Sequence, residues 1–307
     1  MTRQGALRLR YADSSAATST SGSFLEPDVA VPTLLALPRL LAAADAVQRD
    51  PDDLAAAQVL LDAGSGSLGG SRPKASVRIR DRLMIAKLPH GGDDWDVEAW
   101  EATALDLADA AGISVPGRRL TRVDGRAVLL LTRFDRTATG HRLPYVSAMT
   151  LLGRSEDDVC DYADLCDAVS DEGSATNADL EALWRRIAFS VAIHNTDDHL
   201  RNHGFLRAKG GWTLAPIFDV NPDPDVHAHR LTGIAGARAL DDEARGLESL
   251  AAECRLSVSR RSQIATEVLD ATSRWATVAR DHGIGQAEIT RFERTFTVGA
   301  AALRTLV

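Results

Sequence analysis

One stretch of this sequence gathers side chains that can hold a proton and a metal-bound phosphate: Asn195-Thr196-Asp197-Asp198-His199-Leu200-Arg201-Asn202. Transfer of a phosphoryl group to a hydroxyl needs a carboxylate beside the incoming oxygen, to orient it and accept its proton. It also needs oxygen ligands for Mg²⁺, which bridges the phosphates and neutralises their charge. An Asp-x-x-x-x-Asn spacing supplies both, and Asp197 with Asn202 has it. Asp219 follows 22 residues later, behind the apolar approach WTLAPIFD, in the place of a second Mg²⁺ ligand. The plain alternative is that Asp197 or Asp198 caps a helix and Asn202 closes a turn, a role that suits Asp198. Scarcity directs attention to the same residues. The chain has only four asparagines, three of them between 195 and 221, and five of its eight histidines stand between 194 and 229.

A second group lies upstream. Lys87 ends a strand-like run and precedes Glu101 on the next helical stretch, in a chain with only three lysines among 35 basic residues. Phosphoryl transfer uses a strand lysine as a point charge on the phosphates, held by a helix glutamate; Glu98 competes with Glu101 for that pairing. The alternative is a solvated lysine at a strand end. Before it runs Gly64 to Ser71 (GSGSLGGS), whose backbone N–H groups can cradle phosphates. It is not a Walker A loop, because no Gly-Lys-Ser/Thr is present. Arg133-Phe134-Asp135-Arg136 directly follows an apolar strand and suits a hinge where adenine would sit. His199 and His203 have helical zinc-ligand spacing, but no His-Glu-x-x-His is present and Gly204 argues against a long helix there.

These groups need elements to position them. Gly5 to Tyr11 reads as a strand, followed by a loop through Ser23. Residues 32–62 read as helices broken at Pro32 and Pro38, with a new start at Asp50-Pro51. The glycine run reads as loop, and Lys74 to Leu88 as a hairpin turning at Asp81-Arg82. Val97 to Ala111 carries a helical stripe stopped by Gly112, Asp124-Gly125 is a hairpin turn, and Ala127 to Leu131 is a buried strand. Residues 145–192 and 240 to the end are helical in pattern. The expectation is an α+β chain with a strand-containing part at 1–132 and a helical part at 133–307, gripping a ligand between two lobes. A net charge of −8 argues against a chain whose main task is to bind nucleic acid. The three cysteines lack metal-ligand spacing and fit a reducing compartment. With no signal peptide or apolar run of membrane-span length, a soluble cytoplasmic protein is expected.

In family order, SLGGSRPKA (67–75), MIAKL (84–88), the stretch from Glu101 to AGISVP (to 116), LLLTRFDR (129–136), LPYVSA (143–148), WRRIAFSVAIHNTDDHLRNHGFL (184–206) and PIFDVNP (216–222) resemble the HipA family, serine/threonine kinase toxins of bacterial toxin–antitoxin systems. The resemblance covers about residues 60–225. It implies a protein-kinase-like two-lobed fold that binds ATP and Mg²⁺, with residues 1–60 a partial version of the family's N-terminal region. On the matching positions Asp197 is the catalytic base, and Asn202 and Asp219 are metal ligands. ATP-binding positions are Ser67, Leu68, Gly69, Gly70, Lys87, Glu101, Arg133, Phe134, His199 and Arg201. Ser67 takes the family's inhibitory autophosphorylation position, with Ser65 as an alternative acceptor. A doubly charged group there would repel the ATP phosphates. The short N-terminal part resembles the HipT-like variety, whose missing portion can be a separate small HipS-like protein. Thr196 stands where ordinary kinases have the Arg of His-Arg-Asp, which argues against an activation loop controlled through that Arg. The resemblance further implies an aminoacyl-tRNA synthetase as substrate and a HipB-like DNA-binding antitoxin as partner, with no direct nucleic-acid or membrane binding. Rival readings are a nucleotide-binding module without transfer activity, a metal-dependent hydrolase on the Asp/His cluster, and a kinase of a small molecule or lipid, since fold does not fix substrate.

Overall fold

The computed structural model describes residues 4–6, 31–68 and 72–307. Most of the strand read at Gly5–Tyr11, the loop through Ser23 and Gly69 to Ser71 lie outside them. The chain forms two compact units, residues 1–93 with 121–145, and residues 94–120 with 146–307. The helix after Lys87 thus groups with the second unit, whereas the sequence reading placed everything before residue 133 in the first.

The first unit opens with α1 (Leu37–Arg49) and α2 (Leu54–Asp62). Pro38 sits in the first turn of α1, where its missing N–H costs nothing, so it begins a helix rather than breaking one. The Asp53 carboxylate caps α2 by accepting from the Ala56 N–H at 3.0 Å. Residues Ser65–Ser67 form a 3₁₀ turn, a correction to the all-loop reading of the glycine run. Three residues suffice for such a turn, which small side chains permit.

Strands β1 (Lys74–Ile79), β2 (Arg82–Lys87), β3 (Arg118–Val123), which begins three residues before this unit resumes, and β4 (Arg126–Thr132) follow, in the sheet order β1-β2-β4-β3. Ile79 pairs with Arg82, so the β1–β2 turn is Arg80-Asp81, one residue earlier than expected, with Arg80 taking the left-handed conformation at φ 52°. Asp124 and Gly125 both have positive φ, as a two-residue hairpin turn matched to strand twist requires. One face of the sheet, with Ala75, Val77, Met84, Ala86, Val128 and Leu130, packs on Leu37, Leu40, Leu41, Ala44 and Leu60 of the two helices. The i, i+3, i+4, i+7 spacing of the α1 residues makes that stripe.

The second unit contains α3 (Val97–Ala110), then β5 (Tyr145–Ser147), which begins one residue before the unit does, and α4 (Ala148–Leu151). Next come β6 (Cys160–Asp161), α5 (Tyr162–Glu172), α6 (Thr176–Ala192), β7 (Gly204–Ala208), β8 (Gly211–Leu214) and β9 (Thr232–Gly233). Helices α7 (Leu240–Glu253), α8 (Val258–Thr272), α9 (Trp275–Asp281) and α10 (Gln286–Arg304) complete it. Trp100 of α3 lies 4.1 Å, centroid to centroid, from Phe292 of α10, and Trp275 stacks on Phe296 at 4.4 Å. Trp100 and Trp275, far apart in sequence, thus share one aromatic core, their ring centroids 6.2 Å apart. No helix among the described residues is long and apolar enough to cross a membrane.

Helix α6 is the axis of this unit, with Leu180, Leu183, Trp184, Ile187 and Val191 fully buried. Helix α10 approaches its end so closely at Gly299 that a Cβ there would stand 2.4 Å from the carbonyl oxygens of Val191 and Ala192. We predict that Gly299→Ala costs about 1–3 kcal/mol, the penalty of overpacking against backbone, read as a lowered midpoint in denaturant. An unchanged midpoint would contradict this account of α6.

Candidate active site

Helix α6 ends in a turn that aims the chain. The Asn195 N–H donates to the Ser190 carbonyl at 2.8 Å and the His194 N–H to the Val191 carbonyl at 3.0 Å, with His194 at φ 51°. This closes the helix as a glycine usually does. Beyond it, Asn195 to Asn202 runs as a loop ending in a 3₁₀ turn at Leu200–Asn202. The Thr196 hydroxyl donates to Asp223 Oδ2 at 2.6 Å, and the Asp223 N–H donates back to the His194 carbonyl at 3.0 Å. The Asp223 carbonyl accepts from the Thr295 hydroxyl of α10 at 3.0 Å. The loop is therefore tied to the segment after Asp219 and to the closing helix.

The two adjacent aspartates are built for different work. Asp198 is buried, accepting from the Tyr162 hydroxyl at 2.6 Å and lying 3.0 Å from His203 Nε2. Burial alone would raise its pKa, but His203, the Tyr162 hydrogen bond and Arg230 outweigh it and hold the carboxyl below its ordinary value. Asp198 is thus a structural anchor, although through distant side chains rather than the expected helix cap. Its contact with His203 also occupies one member of the His199/His203 pair.

Asp197 is exposed. The surrounding protein still strips enough water from its carboxylate to raise its pKa above the ordinary value, with His199 opposing and the charges of Asp219, Asp198 and Asp223 adding to the rise. Asn202 is buried and its Nδ2 donates to the Asp197 carbonyl at 3.3 Å, which leaves its Oδ1 as an acceptor. Asp219 sits at φ 60°, a conformation that non-glycine residues seldom adopt and that concentrates at functional sites. Its N–H donates to Glu101 Oε1 of α3 at 3.2 Å, and the Ile217 N–H donates to the Ser114 carbonyl at 2.9 Å. The second unit thereby brings together Asp197, Asn202, Asp219 and Glu101.

Among the described residues no group of three or more His, Cys, Asp and Glu side chains gathers as a metal site. The donors present are the oxygens of Asn202 and Asp219. That set fits Mg²⁺, which takes one or two protein oxygens and completes its shell with waters and substrate phosphates. Burial does most to raise Asp197, and the smaller repulsion from Asp219, Asp198 and Asp223 is a charge environment that a divalent cation would relieve.

Lys87, Ser65, Ser67, Leu68, Arg133 and Phe134 belong to the first unit. Lys87 is half-buried at the end of β2, paired in register with Lys74 on β1 and Leu129 on β4. The Arg133 guanidinium is nearly sealed and grips Asp135 through two bonds of 2.9 and 2.7 Å. Arg136 and the Gly5 N–H add 2.9 and 2.7 Å contacts to the same carboxylate. Burial pulls the Arg136 pKa down to about 10. The Arg133 side chain is therefore committed to Asp135. In the second unit, Arg201 is exposed and ion-paired with Glu156. Sequence reading did not pick out Arg230, Asp223 or Tyr162; their partners are distant in the chain and no motif marks them.

A carboxyl with a raised folded-state pKa destabilises the fold once ionised. The cost is absent below the ordinary value of 3.8 and complete above the raised one. Asp197→Asn should therefore melt above the parent near neutral pH, with the difference shrinking as the pH falls to 3.8 and vanishing about one pH unit below it, where the Asp197 carboxyl is protonated in both folded and unfolded chains. A variant less stable than the parent at neutral pH would contradict the desolvation and repulsion described.

The model of the HipA-like C-terminal domain family matches residues 66–276. No curated protein matches the chain. Among solved structures, HipA of Shewanella oneidensis MR-1, determined with HipB and its operator DNA, superposes with a TM-score of 0.59 at 15% identity, over 78% of this chain and 64% of that one. The chain thus spans less than two thirds of that relative's length. The proinflammatory kinase CtkA of Helicobacter pylori gives 0.48 at 16% identity over 78% of this chain and 94% of that one. Choline kinase LicA of Streptococcus pneumoniae gives 0.28 at 12% over 76% and 92%. The fold is α+β and like that of the Shewanella HipA protein.

Proposed function

Since the chain belongs to the family of HipA-like C-terminal domains, we propose that it is an ATP-dependent serine/threonine protein kinase of the HipA toxin kind. The observation that carries this reading is the assembly of Asp197, Asn202 and Asp219 in one unit, with Asp219 in a strained conformation and hydrogen-bonded to the α3 glutamate.

In the proposed reaction Asp197 orients the acceptor hydroxyl and takes its proton as the oxygen–phosphorus bond forms and the bond to the leaving ADP breaks. The raised pKa of Asp197 brings its basicity closer to the working pH. Asn202 and Asp219 hold Mg²⁺, which supplies charge neutralisation on the phosphates. Glu101 keeps the Asp219 backbone in place. Lys87 and the backbone of Ser67, Leu68, Gly69 and Gly70 contact the ATP phosphates, and the backbone near Arg133 and Phe134 receives the adenine. His199 and Arg201 complete the nucleotide contacts, Arg201 by exchanging Glu156 for phosphate.

Ser67, or Ser65 two residues before it, is the autophosphorylation site that switches the kinase off by setting negative charge against the ATP phosphates. The HipB-bound state of the Shewanella protein supports a HipB-like antitoxin partner. The HipT-like variety with a small HipS-like companion is part of the same proposal. An aminoacyl-tRNA synthetase is the proposed substrate, and the cytoplasm the compartment.

With Mg²⁺ and labelled ATP the protein should gain phosphate on Ser67 or Ser65, found by mass spectrometry, and lose the activity on chelation. Asp197→Ala should still bind ATP but transfer about 10²–10⁴-fold more slowly. A wild-type protein that binds ATP yet labels neither itself nor any co-incubated protein would favour a binding module. Labelling of a small molecule alone would replace the protein-kinase reading.

A further inference from the structure

A buried arginine with no part in the chemistry above joins the end of α6 to the segment after Asp219. Arg230 is 2% exposed. Its Nη1 donates to Ser190 Oγ at 3.1 Å and the Asn195 carbonyl at 2.9 Å, and its Nη2 donates to the Ser190 carbonyl at 3.1 Å. Its Nε is ion-paired with Glu243 of α7, both side chains being 1% exposed. The Asn195 carbonyl also accepts from Ser190 Oγ at 3.0 Å. One guanidinium therefore occupies carbonyls at the helix end and two residues before Asp197.

The surrounding segment is closed in the same manner. The Leu231 N–H donates to the Thr196 carbonyl at 3.1 Å. Arg238 donates to the carbonyls of Arg230, Leu231 and Cys160 at 3.1, 2.7 and 2.5 Å. Where a kinase is controlled through this segment, an added phosphate supplies the anion that orders it. Residues 219–239 contain no serine or tyrosine. Their one threonine, Thr232, is 1% exposed and donates to the Asp198 carbonyl at 2.7 Å. The anion facing Arg230 is instead the permanent carboxylate of Glu243.

Building on the kinase reading, we propose that Arg230 is a positioning residue: clamped by Glu243, it holds the Asn195–Asp198 loop in its working shape with no phosphorylation of the segment that follows Asp219. A lysine at this position keeps the charge but lacks the planar fork that reaches several acceptors at once.

The test compares Arg230→Lys with Val268→Ala, a buried truncation in α8 that matches a loss of stability without touching the network. The autophosphorylation rate constant at saturating Mg²⁺-ATP should fall about 10–100-fold in Arg230→Lys, the scale of a small displacement of catalytic groups. The half-saturating ATP concentration should stay within about threefold, because the loss falls on the chemical step. Amide hydrogen exchange over residues 194–203 should speed up about 10-fold in Arg230→Lys alone. A rate constant equal to the parent's, or one lowered equally by Val268→Ala at the same melting temperature, would overturn the assignment. Should the parent incorporate no phosphate, the kinase reading fails, and the exchange comparison alone decides the lock: equal protection in both variants overturns it.

Discussion

The turn at the end of α6 is the constraint on which the second unit depends. A helix leaves its last carbonyls unpaired, and the chain beyond must satisfy them or let water do so. Here His194 reverses the backbone in the left-handed region while Asn195 and Arg230 fill the carbonyl positions. The same turn fixes where Asp197 starts from. Because α6 is buried from Leu183 to its end at Ala192, that starting point is as rigid as the core itself.

Two neighbouring aspartates then show how environment divides labour between identical groups. Asp198 turns inward, where Tyr162, His203 and Arg230 stabilise its charge. Asp197 stays exposed among other carboxylates, and its charge is disfavoured. The first stabilises the loop and the second is left ready for a proton or a neighbouring cation. Strain in the backbone at Asp219 adds a further local cost, borne by the surrounding packing. Such local penalties are common where a fold is shaped around chemistry.

How much of this was legible in the sequence depends on the range of the interaction. The Asp197–Asn202 spacing, the helix stop at Gly112 and the Asp124-Gly125 turn are local, and local geometry dictates their residue types. The β1–β2 turn was misplaced by one residue because arginine is an unusual choice for the left-handed position that Arg80 takes. The 3₁₀ turn at Ser65–Ser67 was missed because small polar residues carry no periodic signal. The Asp198 anchor arises from Tyr162, 36 residues before it, and the Arg230 clamp depends on Glu243 from another helix. Neither pairing leaves a mark in the spacing of residues. The grouping of α3 with the helical unit comes from its packing on α8 and α9, with an aromatic contact to α10, which a left-to-right reading cannot supply.

A crystal structure with a non-hydrolysable ATP analogue and Mn²⁺, located by its anomalous signal, tests the central claim most directly. The cation is expected at about 2.0–2.2 Å from Asn202 Oδ1 and an Asp219 carboxylate oxygen, shared with the nucleotide phosphates, with the Asp197 carboxylate facing the terminal phosphate. A nucleotide bound away from these residues, or a cation that touches neither Asn202 nor Asp219, would contradict it.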